Sequence, residues 1–137
     1  MTEGGDRDKL GRGCVWDGRI APCLHQNHIF AVKVKEKLLN PYYLEYLTAS
    51  SVGRTYFDVT AVKTTNLACT SSSKVLAFTI PLPSIEEQNE IVDYLKEKCG
   101  CIETAISKKE QFISELENYK KSLIYEYVTG KKEVPES

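Results

Sequence analysis

No apolar run in this sequence approaches the ~20 residues that a membrane-spanning helix needs. Its first residues also lack the cationic, apolar and small-residue succession of a signal peptide, so a cytoplasmic chain is expected. Cysteine is present but unpatterned. Cys14, Cys23, Cys69, Cys99 and Cys101 form an odd, scattered set that suits reduced thiols better than a disulfide framework. Histidine is scarce. His25 and His28 fall near Cys14 and Cys23, yet there is no C-x-x-C and no zinc-finger spacing. Cys99 and Cys101 lie on a helical pattern, where residues two apart do not face each other. No metal and no cofactor are expected. The sequence also holds no phosphate-cradling loop, no nucleophile elbow and no methyltransferase-like adenine-binding motif, so no residue is assigned a catalytic role.

What is present divides the chain. Its 137 residues suffice for one domain with an appendage. The net charge of −1 hides an asymmetry: residues 1–84 hold ten Lys/Arg against seven Asp/Glu, and residues 85–137 hold eight against twelve. A mildly basic first part is compatible with nucleic acid, whereas the acidic second part is a poor candidate for contacting it.

The two parts meet at Ile80-Pro81-Leu82-Pro83-Ser84-Ile85-Glu86-Glu87-Gln88. Pro81 and Pro83 favour extended backbone. Ser84 is then placed to cap a helix, with Glu87 three positions on to close a capping box and Glu86 and Glu87 favoured by the helix dipole. Upstream, Asp17-Gly18 between Cys14-Val15-Trp16 and Ile20 is a hairpin signal. Ile29–Val34 reads as a buried strand, and Asn40-Pro41 as the cap and first position of a helix with Tyr43, Leu44 and Leu47 on its apolar face. Gly53–Asp58 suggests a short second helix, and Val75–Ile80 a strand leading into the joint.

From Ile85 to about Thr129 the pattern is helical. Leu95, Ile102, Lys109, Leu116 and Leu123 recur every seven residues, with Ala105, Ile106, Phe112, Ile113 and Tyr119 between them. Gly130 stands where a left-handed C-cap belongs, and Gly100 is a costly interior residue where a kink is plausible. Such a helix would be roughly 65 Å long. Its stripe is too long to be covered by a head of some 84 residues and calls for another helix.

The string Ile80-Pro81-Leu82-Pro83-x-x-Glu86-x-Gln88-x-x-Ile91-Val92-x-x-Leu95, with the heptad helix ending Leu123-Ile124-x-x-x-Val128-Thr129-Gly130, resembles the C-terminal conserved region of type I restriction–modification specificity subunits. Thr2-Glu3-Gly4-Gly5-Asp6, Gln26-Asn27-His28 and Thr64-Thr65-Asn66-Leu67 resemble parts of that family's target-recognition domains. The resemblance implies two recognition domains held apart by two antiparallel helices. Each domain reads half of a split DNA target, and methyltransferase and restriction subunits dock around the subunit. This chain shows one joint and one arm, so it is expected to be a C-terminal fragment beginning midway through a recognition domain, from an internal Met.

Candidate DNA contacts follow from residue chemistry: cations and backbone amides for phosphates, amides and guanidinium groups for base edges. Arg7, Lys9 and Arg12 lie among glycines that would let backbone approach a phosphate; a solvated turn accounts for them equally. Gln26, Asn27 and His28 offer an amide for adenine, although a structural role, with Asn27 and His28 bonding nearby backbone, has the stronger claim. Arg54, Lys63, Thr64, Thr65, Asn66 and Lys74 form a second group that suits phosphate contact and equally suits an exposed loop. For helix pairing the candidates are Leu95, Ile102, Ile106, Phe112, Ile113, Leu116 and Leu123.

The expected fold is α+β: a small mixed, partly β recognition head over residues 1–83, a long coiled-coil-forming helix over 84–130, and a tail at 131–137. The expected function is non-catalytic, sequence-specific recognition of double-stranded DNA, with docking of methyltransferase and restriction subunits and self-association through the long helix, most simply as an antiparallel dimer. The alternative is a helical assembly module whose head no longer binds DNA. A small enzyme is a third class, without a supporting motif.

Overall fold

The computed structural model describes residues 1–5, 10–63 and 68–135. The chain divides into two compact units, Met1–Tyr94 and Leu95–Ser137. The fold is α+β. Its elements are β1 (Gly4–Gly5), α1 (Pro41–Ala49), α2 (Ser51–Thr60), β2 (Val62–Lys63), β3 (Ala68–Cys69), α3 (Ser72–Leu76) and the long α4 (Ile85–Val128). The strands form a small antiparallel sheet in the order β1-β3-β2, with Gly5 and Lys63 both opposite Ala68.

Helix starts follow the local chemistry. Asn40 holds extended backbone (ψ 126°), and its side-chain oxygen accepts from the Tyr42 and Tyr43 amides while Pro41 occupies the first turn. Ser50 closes α1 and opens α2: its hydroxyl accepts from the Gly53 amide at 3.4 Å. This abrupt turn depends on glycine. A Cβ at Gly53 would lie 2.5 Å from the Leu47 carbonyl oxygen and 2.7 Å from the Thr48 Cα.

The head's apolar centre is Phe57, fully buried with Leu10 and Ala68 and bordered by Met1, Tyr56, Ala61, Val75 and Phe78. Tyr56, Phe57 and Phe78 form a three-ring cluster with centroids 4.9–5.4 Å apart. Here the expected strand at Val75–Ile80 is replaced by α3 followed by irregular chain. The reason lies in spacing. Val75 and Phe78, three apart, reach the same core from one helical turn, whereas a strand would send them to opposite faces.

Two other expected strands also fail to form. Among the described residues Ile29–Val34 makes one bridge, Thr2 to Ile29, and aligns with Met1–Glu3 through Phe30 N to Met1 O at 2.8 Å and Glu3 N to His28 O at 3.0 Å. With a partner along part of one edge only, Ile29 and Val32 stay exposed rather than buried. At Asp17-Gly18 no hairpin turn forms; Gly18 stands at φ +74° and the Arg19 amide donates to the Asp17 carboxylate at 3.1 Å. The flanks do not pair, and the Val15 amide donates to the Glu45 carboxylate on α1 at 3.3 Å.

A second buried centre lies at the joint. Gln88 is fully enclosed, with Val92 and Tyr43 also buried. Its side-chain oxygen accepts from the Asn40 amide at 2.9 Å, and its NH2 donates to the Leu38 and Pro83 carbonyls, each at 2.9 Å. The Tyr43 hydroxyl donates to the Pro81 carbonyl at 3.3 Å, and the Asn40 NH2 to the Asn89 side chain at 2.7 Å. Ser84 caps α4 by accepting from the Glu87 amide at 3.2 Å. The helix continues through Gly100 and ends at Gly130 (φ +71°), where the Lys131 amide reaches the Glu126 carbonyl at 2.8 Å and the Gly130 amide the Tyr127 carbonyl at 3.3 Å. That pair of bonds is the Schellman arrangement.

Three substitutions are informative in urea unfolding. Gln88→Ala strands three partly buried backbone groups and is expected to cost about 2–4 kcal/mol. Gln88→Glu offers no donor when ionised, so its destabilisation should grow as pH rises above about 4.3 and shrink below it; a pH-independent loss would contradict the bonding described. Gly11→Ala should cost at least ~2 kcal/mol. Gly11 sits at φ +68°, and an added Cβ would fall 2.2 Å from the Phe57 ring.

Candidate functional site

The sheet organises the head's polar surface. The chain leaves β1 after Gly5, leaves β2 after Lys63 and enters β3 at Ala68, all at one end of the sheet. Arg7, Lys9, Thr64, Thr65 and Asn66, expected from the sequence as contacts, lie outside the described residues.

The described candidates differ in how their chemistry is used. Arg12 is exposed, and its carbonyl accepts from the Thr2 amide at 2.8 Å. Gln26 and Asn27 are exposed, and the Gln26 carbonyl accepts from the Ile29 amide at 3.1 Å. The His28 Nδ1 lies 3.1 Å from the Glu3 carboxylate across the Thr2–Ile29 bridge. Arg54 is exposed on α2, and the Lys63 ammonium on β2 pairs with Asp58 of α2 at 3.4 Å.

Lys74 is placed differently. Its ammonium donates to the Thr60 carbonyl at the end of α2, and its own carbonyl accepts from the Tyr56 hydroxyl at 2.8 Å. Half-buried, it serves as a cation at a helix C-terminus, where dipole and orphan carbonyl both favour positive charge. A further set of cations lies outside the contacts expected from the sequence. Lys33, Lys35 and Lys37 are all exposed, on the stretch that runs as irregular chain into a turn. Their alternation in Lys-Val-Lys-Glu-Lys was the available signal, hidden by reading the segment as a buried strand. Lys35, Glu36, Lys37 and Leu38 line a shallow open depression there.

In the unit Leu95–Ser137 the features are apolar. Ile102, Ile106, Phe112, Ile113, Leu116 and Tyr119 are all exposed, and Leu95 and Leu123 are half-buried. At the helix end Glu126 pairs with Lys132 at 2.7 Å, and that hydrogen bond holds the Lys132 ammonium above the usual lysine range. Among the described residues no group of three or more His, Cys, Asp or Glu could hold a metal ion, and no helix is long and apolar enough to cross a membrane.

Residues 18–124 match the family described as the type I restriction modification DNA specificity domain. A curated protein of Methanocaldococcus jannaschii, provisionally named type I restriction enzyme MjaX specificity subunit, is 24% identical over 90 residues. That similarity covers 66% of this chain and 21% of the relative, so the match spans about a fifth of the relative's length. No solved structure matches the chain with significance.

The placement of Lys74 predicts that Lys74→Ala lowers unfolding stability by about 1–2 kcal/mol. A variant as stable as the parent would release this ammonium from its capping role and return it to the surface available for phosphates.

Proposed function

The chain belongs to the type I restriction–modification DNA specificity family, and on that premise we propose that it supplies target recognition without performing catalysis itself. The head, residues 1–83, reads one half of a split double-stranded target. The helix over 84–130 sets the spacing and docks methyltransferase and restriction subunits, with residues 131–137 as a tail. A second copy of the chain pairs through the helix, and the complex works in the cytoplasm. The observation that carries the reading is the reach of the family match, which runs from residue 18 to residue 124 and so takes in both head and helix.

The surface chemistry supports it. Exposed Arg12, Lys33, Lys35, Lys37 and Arg54 supply cations for phosphates. Exposed Gln26 and Asn27 supply side-chain amides suited to adenine edges. A second reading, an assembly module whose head does not bind DNA, draws on the internal commitments of Lys63 to Asp58 and Lys74 to the end of α2.

Filter binding to random and candidate duplexes at two salt concentrations separates the two. Recognition predicts affinity that falls steeply with salt, and replacing Lys33, Lys35 and Lys37 together by Ala should reduce the logarithmic salt slope by about 2–3. Absence of binding at low salt would leave the assembly module.

A further inference from the structure

Residues 12–37 form neither helix nor strand, and they hold five Lys/Arg against two Asp/Glu. That difference is the whole cationic excess of residues 1–84. The same stretch is unusually rich in bare apolar side chains. Leu24, at 96%, is the most exposed large hydrophobic among the described residues, and Ile20 and Trp16 on the same loop are 63% and 56% exposed. We propose that the loop 16–27 is a wedge: Leu24, backed by Ile20, enters between two base pairs of a DNA duplex from the minor groove and kinks it. The wedge rests on the DNA recognition proposed above and adds distortion of the duplex to it.

The loop is held at both stems and bare at its tip. Before it, the Val15 amide donates to the Glu45 carboxylate of α1 at 3.3 Å. After it, the His28 carbonyl accepts from the Glu3 amide at 3.0 Å, and the Phe30 amide donates to the Met1 carbonyl at 2.8 Å. The same N-terminal segment holds Arg12, whose carbonyl accepts from the Thr2 amide at 2.8 Å. Cations therefore stand at both stems: Arg12 before the loop, and Lys33, Lys35 and Lys37 after it. At the tip the chain bends over Ile20–Pro22. The Cys23 thiol and the His25 ring turn back on the loop's own backbone, 3.8 Å from the Leu24 carbonyl and 3.0 Å from the Gln26 carbonyl. The Leu24 side chain stands clear of both.

Charge decides what the loop meets. Protein interfaces are depleted of lysine, yet three exposed lysines follow directly on the second stem. A phosphate backbone calls for that arrangement, with cations beside an inserted side chain to draw it in and hold its register. Asp17 opposes this little, because the Arg19 guanidinium pairs with it. Gln26 and Asn27, just past Leu24, are exposed and carry amide donors. The minor groove offers them the adenine N3 and thymine O2 acceptors. Insertion unstacks one base step, and pyrimidine–purine steps unstack most easily. Leu24 thus selects sequence by deformability, at a step where no hydrogen bond to a base is needed.

The test selects duplexes of about 24 base pairs from a random pool with the full chain, then labels their ends for energy transfer. The bound duplexes should share a pyrimidine–purine step and shorten end to end, as a kink of about 20–90° requires. Leu24→Ala should bind about 5- to 30-fold more weakly and lose the shortening. Its salt slope should match the parent's, since no cation is removed. Leu24 is exposed, so urea unfolding of the variant should also match the parent. Parental bending and affinity in Leu24→Ala would overturn the wedge and leave DNA recognition standing. No duplex retained at low salt would overturn both. Weakened binding of the methyltransferase subunit by Leu24→Ala, with DNA bending unchanged, would give the loop to a protein partner and overturn the wedge.

Discussion

The buried side-chain amide of Gln88 ties together everything on either side of the joint. It accepts from Asn40 and donates to Leu38 and Pro83, so its oxygen is engaged and both its N–H groups are used. Neither a carboxylate nor a hydrocarbon of that size could satisfy one donor and two acceptors together. Prolines make such a partner necessary. Pro81 and Pro83 have no N–H, so this segment can be held in part only through its carbonyls, one taken by Gln88 and one by the Tyr43 hydroxyl. The first helix and the start of the long helix are thereby registered by polar bonds inside a small apolar surround of Tyr43 and Val92.

The head's second anchor works by shape. Its sheet has strands of two residues, too short to supply much ladder energy, so the burden falls on Phe57 and the segments that close over it. Gly11 lies against the Phe57 ring where no Cβ fits.

Sequence was most readable where one residue's chemistry dictates one backbone geometry. Asn40-Pro41, Ser84 and Gly130 each mark a helix end for a local reason, and each end is where that reason puts it. The heptad spacing likewise gave a helix running Ile85–Val128. Readability failed where geometry is decided at a distance. Ile29–Val34 has strand composition but, among the described residues, pairs only with Met1–Glu3, and two-residue strands leave no period to detect. The candidate site shows the same divide. Composition finds cations but cannot tell that Lys74 is spent on the end of α2 while Lys33, Lys35 and Lys37 remain on the surface.

The long helix poses the opposite problem, order with little packing of its own. Beyond Leu95 none of its described residues is fully buried, so its helicity rests on local terms: the Schellman closure at Gly130, the Glu126–Lys132 pair and the Gln111–Glu115 bond one turn apart. Each such term is small, and about 1 kcal/mol is lost at Gly100. Most helical stability in proteins comes instead from burying an amphipathic face. Gly100 is open on all sides within the chain, so nothing internal offsets its cost. Helix order beyond Leu95 and occupation of its apolar stripe are therefore linked: whatever covers Ile102, Phe112 and Leu116 stabilises the arm.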